Sequence, residues 1–340
     1  MGITDRAARL KIGIAAVASG ALAAAAAVSL AGPAGAATAG TAAAAAPAAG
    51  YQFVTLGSHH DRTFNQLLGI NNEGVIAGYF GSGNAGHPNK GYTIRSPYAQ
   101  GDISNENFPG SVQTQVTGLN DRGVTVGFFS TQNNANDTND NFGWYEAGGY
   151  FHKVDFPTGT PASPPVDQLL GVNDHDVAVG FFTNASGQNR GYTYNIYTHR
   201  FSRVLVPGAS GLGPSLTAAA INNHGDVAGF YNVNSSTVDG FLKLANGDFI
   251  KLAVPGASMT QAFGVNDSDW VVGTYTVGSG NSATTHGFIY KLGHGYVTGI
   301  DDPNGVGTTV LNGVNDEGDL VGFYTDSAGN TDGLVAFPGF

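Results

Sequence analysis

Short apolar runs, separated by polar segments rich in Gly, Asn, Ser and Thr, recur throughout residues 51–340. Runs such as VIAGYF and WVVGTY are almost continuously apolar, which is typical of strands packed on both faces. Helical repeats would need an apolar period of about 3.6 residues, whereas these runs are short and are broken by glycine. The pattern therefore predicts an all-β protein made of many short strands.

The runs belong to an internal repeat. A small or aliphatic residue followed by Asn-(Asn/Asp) occurs six times, and a glycine follows seven positions after each first asparagine: Asn71, Asn120, Asn173, Asn222, Asn266 and Asn315. An aromatic strand, a polar loop, a third strand opening with glycine and a fourth strand such as FHKVDFP come next. Four strands in a unit of about fifty residues are typical of a propeller blade. The sequence predicts a six-bladed β-propeller with four-stranded blades.

The two ends of the repeat array complement each other. The sixth unit stops after its third strand, and YQFVTLG at residues 51–57 resembles the fourth strand of the other units. We expect this N-terminal strand to complete the last blade, because ring closure removes exposed sheet edges. Residues 51–340 are thus predicted to form one propeller domain.

The N-terminal segment has the pattern of an export signal. Arg6, Arg9 and Lys11 precede a long apolar run, and the small residues Ala34 and Ala36 follow it, which predicts a signal peptide over 1–36. An uncleaved membrane anchor is the alternative, since the run approaches the roughly 20 residues needed to span a bilayer. Its alanine richness makes it a weak anchor. We expect cleavage, secretion to the cell exterior and no stable membrane insertion afterwards, with 37–50 as an Ala-rich flexible linker.

Charge and cysteine content limit which partners the protein is expected to bind and how its fold is expected to be stabilised. The formal net charge is −11, and removal of residues 1–36 leaves 11 Lys and Arg against 24 Asp and Glu. Such an acidic chain is a poor nucleic-acid binder. Because cysteine is absent, a secreted domain must be stabilised by its core rather than by disulfides. We expect a monomer that binds no cofactor.

On these motifs the chain resembles the extracellular HAF repeats, which are named after a His-Ala-Phe signature. The segment GINNEGVIAGYF matches the first part of the family pattern, and His286-Gly287-Phe288 approaches the second part with Gly for Ala. The other units have different residues in place of that histidine: Lys90, Phe142, Arg190, Asp239 and Asp332. The resemblance covers residues 51–340 and implies secretion and a propeller-like fold, but no activity and no catalytic residue.

The Asn-(Asn/Asp) segments are predicted to be tight hairpin tips. Glycine supplies a positive φ in most copies, and Asp176 and Asp269 replace it in two, since Asp tolerates that conformation. The preceding Asn is expected to bond its own turn. The spacing does not match a calcium loop, so the tips are interpreted as scaffold and no metal site is predicted. Function is expected on the opposite face, where the loops vary.

Three sets of residues are ligand-binding candidates on that loop face. The segment His59, His60, Asp61 and Arg62 could bind a metal or move protons if His87 or His286 joined it, although a solvated loop is the favoured interpretation. A second set of charged residues precedes the third-strand glycines: Lys90, Arg190, Asp239 and Asp332. Their side chains could either give the mouth of the propeller's central channel an uneven charge or be solvated strand ends. A third set breaks the aromatic repeat and could stack on sugars: Trp144, Tyr145 and Trp270.

The sequence contains no nucleophile elbow, phosphate-binding loop, zinc-protease helix or paired CxxC. Neutral hydrogen-bonding loops without a catalytic constellation favour a secreted binding module for a carbohydrate or another exported protein. One alternative is a secreted hydrolase or lyase whose site is assembled at the channel mouth from several blades. The other is a structural protein of the cell envelope.

Overall fold

A computed structural model describes residues 50–84, 86–134, 139–208 and 213–339. These residues form an all-β protein, with short 3-10 turns at Gln100–Asp102 and Gly280–Ser282. The predicted signal peptide and almost all of the predicted linker lie outside the described residues. In the described part, no helix is long and apolar enough to cross a membrane.

The first three sequence repeats each form one four-stranded antiparallel sheet in chain order. Repeat 1 contains β2 (Asn65–Ile70), β3 (Ile76–Phe80), β4 (Lys90–Ile94) and β5 (Ile103–Asn105). Repeat 2 contains β6 (Gln113–Leu119), β7 (Thr125–Ser130), β8 (Phe142–Ala147) and β9 (Tyr150–Val154). Repeat 3 contains β10 (Asp167–Val172), β11 (Val177–Thr183), β12 (Asn189–Asn195) and β13 (Arg200–Arg203).

Repeats 4 and 5 have the same strands but are joined into one eight-stranded sheet. Repeat 4 contains β14 (Leu216–Ile221), β15 (Val227–Asn232), β16 (Val238–Lys243) and β17 (Phe249–Leu252). Repeat 5 contains β18 (Met259–Val265), β19 (Trp270–Val277), β20 (Thr284–Lys291) and β21 (Gly295–Thr298). The prediction of separate four-stranded sheets is modified here, because Val238 and Met259 pair in parallel where β16 and β18 start.

Repeat 6 obtains its fourth strand from the beginning of the domain. It contains β22 (Thr309–Val314), β23 (Leu320–Thr325) and β24 (Thr331–Pro338), and β1 (Tyr51–Leu56) pairs antiparallel with β24 along its whole length. The register extends from Tyr51 opposite Pro338 to Leu56 opposite Gly333. The pairing predicted for residues 51–57 is therefore present.

The first strand of each repeat contacts the first strand of the next, and β22 of repeat 6 contacts β2 of repeat 1. Each first strand has a bulge at the same position, such as the register shift between Leu67 and Gly69. A Cβ built on Gly69 would lie 3.2 Å from Gly118 Cα, and one built on Gly313 would lie 3.2 Å from Gly69 Cα. Glycine at the bulge thus permits the backbones of neighbouring repeats to approach closely.

The hairpin tips form the turns that the sequence predicts. Asp176 and Asp269 have φ of 56° and 54°, in the left-handed region that glycine occupies in the other copies. In repeat 3, Asn173 Oδ1 accepts a hydrogen bond from Val177 N at 3.0 Å, as expected for a side chain that bonds its own turn. Its Nδ2 also donates to Asn222 O of the next repeat at 2.9 Å, a contact between repeats that the motif alone does not reveal.

A cycle of hydrogen bonds connects the tips of all six repeats. At the second position of each tip, the backbone N–H donates to the side-chain Oδ1 of the corresponding residue in the next repeat, over 2.7 to 2.9 Å. The sixth bond returns from Asp316 N to Asn72 Oδ1. We call this set the tip ring: Asn72, Asp121, Asp174, Asn223, Asp267 and Asp316.

The recurring aromatic residues after the tips are mainly buried in the core. Phe181, Phe230 and Phe323 are buried in one cluster that also contains Phe263 and takes its members from repeats 3 to 6. Other clusters lie between neighbouring repeats; one joins Leu67 and Tyr92 of repeat 1 to Val321 and Val335 of repeat 6. At about 25 cal/mol per Å², burial of this apolar surface is the main contribution to the stability of a domain without cysteine.

Candidate functional site

The structure brings part of the predicted histidine segment together. Asp61 Oδ2 lies 3.3 Å from His87 Nδ1, so His87 joins this segment as the sequence analysis allowed, whereas His286 lies in repeat 5. Burial alone would raise the pKa of Asp61, but hydrogen bonds from Thr63 and His87 lower it below its ordinary value. This carboxylate is thus held ionised as a loop anchor.

The remaining members of the segment point to separate contacts. His59 directs both its backbone N and its ring Nδ1 to Gln100 Oε1, each at 2.7 Å. The ring of His60 stacks on Phe80 with centroids 5.0 Å apart, and Arg62 is exposed. The His59 and His60 rings lie 3.9 Å apart, but among the described residues the group with the spacing to hold a metal ion includes neither of them nor His87.

Three of the four charged residues before the third-strand glycines bind nearby groups. Lys90 Nζ donates to Val112 O at 3.0 Å, and Arg190 Nη1 donates to Gly213 O at 2.9 Å. Asp239 is buried and pairs with Lys251 Nζ at 2.7 Å. The interpretation of this set as solvated strand ends is wrong for Arg190 and Asp239, because both side chains are buried. Burial raises the pKa of the last member, Asp332, and nearby carboxylates reinforce the shift.

The aromatic candidates for sugar stacking are also corrected. Trp144 is fully buried, and Gly127 on the adjacent strand leaves the space that its indole fills. Tyr145 is buried as well. Trp270 is half-buried, and Lys291 Nζ lies 3.2 Å from the centre of its ring. The first two rings cannot meet a ligand, and a lysine already occupies a face of the third.

One group of described residues has the donor atoms and spacing to hold a metal ion. His224, Asp226 and Asp269, at the tips of repeats 4 and 5, have potential ligand atoms within 4.8 Å of one another. Burial and then the Asp226 carboxylate raise the pKa of Asp269. At the equivalent junction of repeats 2 and 3, Arg122 Nη1 lies 3.1 Å from Asp176 Oδ2, so these positions also serve to join neighbouring tips.

A polar cavity of about 480 Å³ lies between repeats 1 and 2, on the face of the hairpin tips. Its volume is in the range of small-molecule sites, about 300–1,000 Å³. None of the sequence-predicted ligand residues lines it. Its charged and hydroxyl-bearing lining residues come from both repeats: Glu73, Thr93, Arg95, Glu106, Asp121, Thr125 and Glu146. We call it the Glu106 cavity.

Glu106 follows β5 directly, and its backbone N bonds Gly91 O on β4 of the same repeat at 2.9 Å. Its carboxylate accepts a hydrogen bond from the Thr125 hydroxyl at the start of β7. Burial raises the pKa of Glu106 to about 7; the Thr125 hydrogen bond opposes this shift, and the Glu146 carboxylate adds to it. A carboxyl group that is protonated near neutral pH can both donate and accept hydrogen bonds.

Sequence reasoning missed this cavity because its residues are outside the repeated motif. Glu106 and Glu146 lie in a connection and in a strand, and only the packing of repeat 1 against repeat 2 places them together. One signal was available: glutamate is rare in this chain, and several of its copies fall between residues 73 and 146.

No protein-family model matches the chain, and no curated protein matches it in sequence. Among solved structures, the chain is similar to a fucose-specific lectin from Aleuria aurantia, with TM-score 0.46, 10% identity, and coverage of 82% of this chain and 98% of the lectin. A mutant of AofleA from Arthrobotrys oligospora gives TM-score 0.46 and 12% identity, covering 85% and 93%. A polysaccharide lyase described as an ulvan lyase gives TM-score 0.42 and 12% identity, covering 80% and 78%. These TM-scores are below 0.5, so the fold and the site rest on the chain's own contacts.

Proposed function

We propose that this protein binds a neutral or amino-sugar carbohydrate in the Glu106 cavity. The observation that carries the proposal is the lining itself, in which carboxyl groups, a guanidinium and two hydroxyls from two repeats surround about 480 Å³. Sugar hydroxyls are donors and acceptors at once, so a pocket with both kinds of partner suits them. The proposal keeps the carbohydrate ligand expected from the sequence, but places its site on the face of the hairpin tips and not on the opposite loop face.

The charge of the lining selects among carbohydrates. Four carboxyl groups face one cation: Glu73, Glu106, Asp121 and Glu146 against Arg95. A uronate or sulfated sugar would meet like charges, which disfavour binding, whereas a neutral sugar or an ammonium group would not. Acidic polysaccharides are therefore expected to bind poorly.

We also propose that the fold is a closed six-bladed propeller and that the chain is secreted after cleavage of residues 1–36. The tip ring, the contact of β22 with β2 and the pairing of β1 with β24 support closure. The HAF-repeat resemblance and the monomeric state remain predictions.

Recovery of the protein from the medium, with an N-terminus near residue 37, tests secretion. An intact N-terminus in a membrane fraction contradicts it.

A second candidate function is hydrolysis of a glycosidic bond. The feature that favours it is the pKa of Glu106, which burial and the nearby Glu146 carboxyl group raise to about 7. Glycosidases use such a pair, in which one carboxylic acid protonates the leaving oxygen. Release of reducing ends from a bound oligosaccharide by wild type, but not by Glu106→Gln, would support hydrolysis over binding alone.

A glycan array of residues 51–340 tests the ligand class. Neutral and amino sugars are expected to give signal, and uronic or sulfated glycans are not. Arg95→Met removes the guanidinium hydrogen-bond donors from the lining and is expected to reduce signal for neutral glycans. Arg200→Met, on exposed Arg200 of repeat 3, serves as the matched control. Binding confined to acidic glycans would contradict the proposal.

A further inference from the structure

Thr284, His286 and Asp301 in repeat 5 form a chain of hydrogen bonds. His286 Nδ1 lies 2.7 Å from Asp301 Oδ2, and His286 Nε2 lies 2.9 Å from Thr284 Oγ1. A hydroxyl, an imidazole and a carboxylate connected in this order are the arrangement of a nucleophile, its general base and the group that orients the base.

The local structure explains how the three side chains meet. Thr284 and His286 are two residues apart on β20, and side chains at that spacing project from the same face of a strand. Asp301 comes from the connection after β21, and its Oδ1 accepts a hydrogen bond from Gly287 N at 3.1 Å. This bond leaves Oδ2 free to hold the imidazole, so the carboxylate is fixed at both oxygens.

Repeat 1 shows which part of this arrangement is scaffold. There, Asn107 Oδ1 accepts a hydrogen bond from Gly91 N at 3.1 Å, the same anchor that Asp301 provides for Gly287. The residue before Gly91 is Lys90, and no histidine is present in that loop position. Anchoring the third strand therefore requires only a side-chain oxygen. Compared with repeat 1, repeat 5 has a carboxylate in place of the amide and adds the imidazole and the hydroxyl.

The histidine is held in the orientation that a general base requires. When Asp301 accepts the Nδ1 proton, Nε2 is left as the acceptor for the Thr284 hydroxyl. The Tyr275 ring packs against the imidazole with centroids 5.4 Å apart, and Thr274 Oγ1 donates to His286 O at 3.0 Å. The His286 side chain is 27% exposed and that of Asp301 is 35% exposed, so a small molecule can reach the group.

We propose that Thr284, His286 and Asp301 form an acyl-transfer site that hydrolyses small carboxylic esters. Thr284 Oγ1 bonds to the carbonyl carbon while its proton passes to His286 Nε2. The carbon–oxygen bond to the alcohol then breaks, and the alcohol leaves with that proton. Water next attacks the acyl-threonine and gives a proton to Nε2, and this proton returns to Oγ1 as the carboxylic acid departs. Thr284 and His286 are the catalytic residues, and Asp301 is a positioning residue.

The test uses p-nitrophenyl acetate and residues 51–340, with hydrolysis rate and the mass of an acetylated Thr284 peptide as readouts. Thr284→Val and His286→Gln are expected to lower kcat by about 100-fold or more. Thr284→Ser should retain hydrolysis, because the hydroxyl is preserved. Thr285→Val and His294→Gln are matched controls at a neighbouring threonine and at an exposed histidine, and are expected to match wild type.

Asp301 is tested by separating kcat from KM. Asp301→Asn is expected to lower kcat without changing KM, and Asp301→Glu to recover part of the loss, whereas a merely structural role would change the melting temperature instead. The proposal is overturned if no acetyl group is found on Thr284, or if Thr284→Val hydrolyses the ester as fast as wild type. Because repeat 5 is separate from the Glu106 cavity, neither result depends on carbohydrate binding.

Discussion

At the scale of single residues, the environment decides which of several similar side chains has unusual chemistry. Glu106 and the exposed Glu317 have the same functional group, but only Glu106 is partly buried beside another carboxyl group. The sequence cannot distinguish them, because the burial of Glu106 depends on the packing of a neighbouring repeat. The burial of Trp144 was also not predictable from the sequence: its indole fills the space over Gly127 and does not lie at the surface.

The raised pKa of Glu106 predicts a pH-dependent difference in stability. The folded protein retains a proton that the unfolded chain releases between pH 4.5 and about 7, so folding stability falls as pH rises through that window. Glu106→Gln lacks this titration. From pH 4 to pH 8, the free energy of unfolding of Glu106→Gln is expected to rise relative to wild type by about 1–3 kcal/mol. Urea unfolding at both pH values measures it, with Glu317→Gln as the control; equal shifts in the two variants would contradict the assignment.

At the scale of elements, the hairpin tip serves both as a turn and as a connector between repeats. Sequence periodicity located all six tips and predicted their positive-φ positions, because turn chemistry is local. The bonds from one tip to the next were not predictable, since they depend on how closely the first strands approach. The parallel pairing of Val238 with Met259 was missed for the same reason.

The double role of the tip asparagine predicts the effect of its removal. Asn173→Ala leaves Val177 N and Asn222 O without their side-chain partner, and Asn173 is 4% exposed. We expect a loss of about 2–3 kcal/mol of unfolding free energy. Asn246→Ala, at an exposed hairpin in repeat 4, should change stability by less than about 0.5 kcal/mol. Thermal or urea unfolding compares them, and a similar effect at both sites would refute the connector role.

At the scale of the whole molecule, contacts between successive repeats stabilise an all-β fold that has no disulfides. Every first strand has neighbours on both sides, and β1 covers the outer edge of β24. Much of this was predictable from the repeat. The pairing of residues 51–57 could be predicted because the sixth repeat lacks a fourth strand and this segment resembles one. The Glu106 cavity was not predictable, since repeats 1 and 2 differ from the consensus there.

Removal of the N-terminal strand tests this arrangement. Deletion of residues 51–57 exposes the edge of β24 and removes Leu56 from the cluster shared by repeats 1 and 6. The melting temperature is expected to fall by about 10 °C or more. Deletion of 37–49 is the control and should leave the melting temperature unchanged. An unaltered melting curve after deletion of 51–57 would contradict the proposed closure of the propeller.

Carbohydrate binding in the Glu106 cavity is tested most directly by calorimetric titration of residues 51–340 with the neutral or amino-sugar oligosaccharide that binds best on the array. Glu106→Ala is expected to weaken binding about tenfold or more, equivalent to about 1.4 kcal/mol, because it removes a partly buried hydrogen-bonding group from the lining. Glu317→Ala, outside the cavity, should bind like wild type. Equal dissociation constants for wild type and a correctly folded Glu106→Ala would contradict the proposed site.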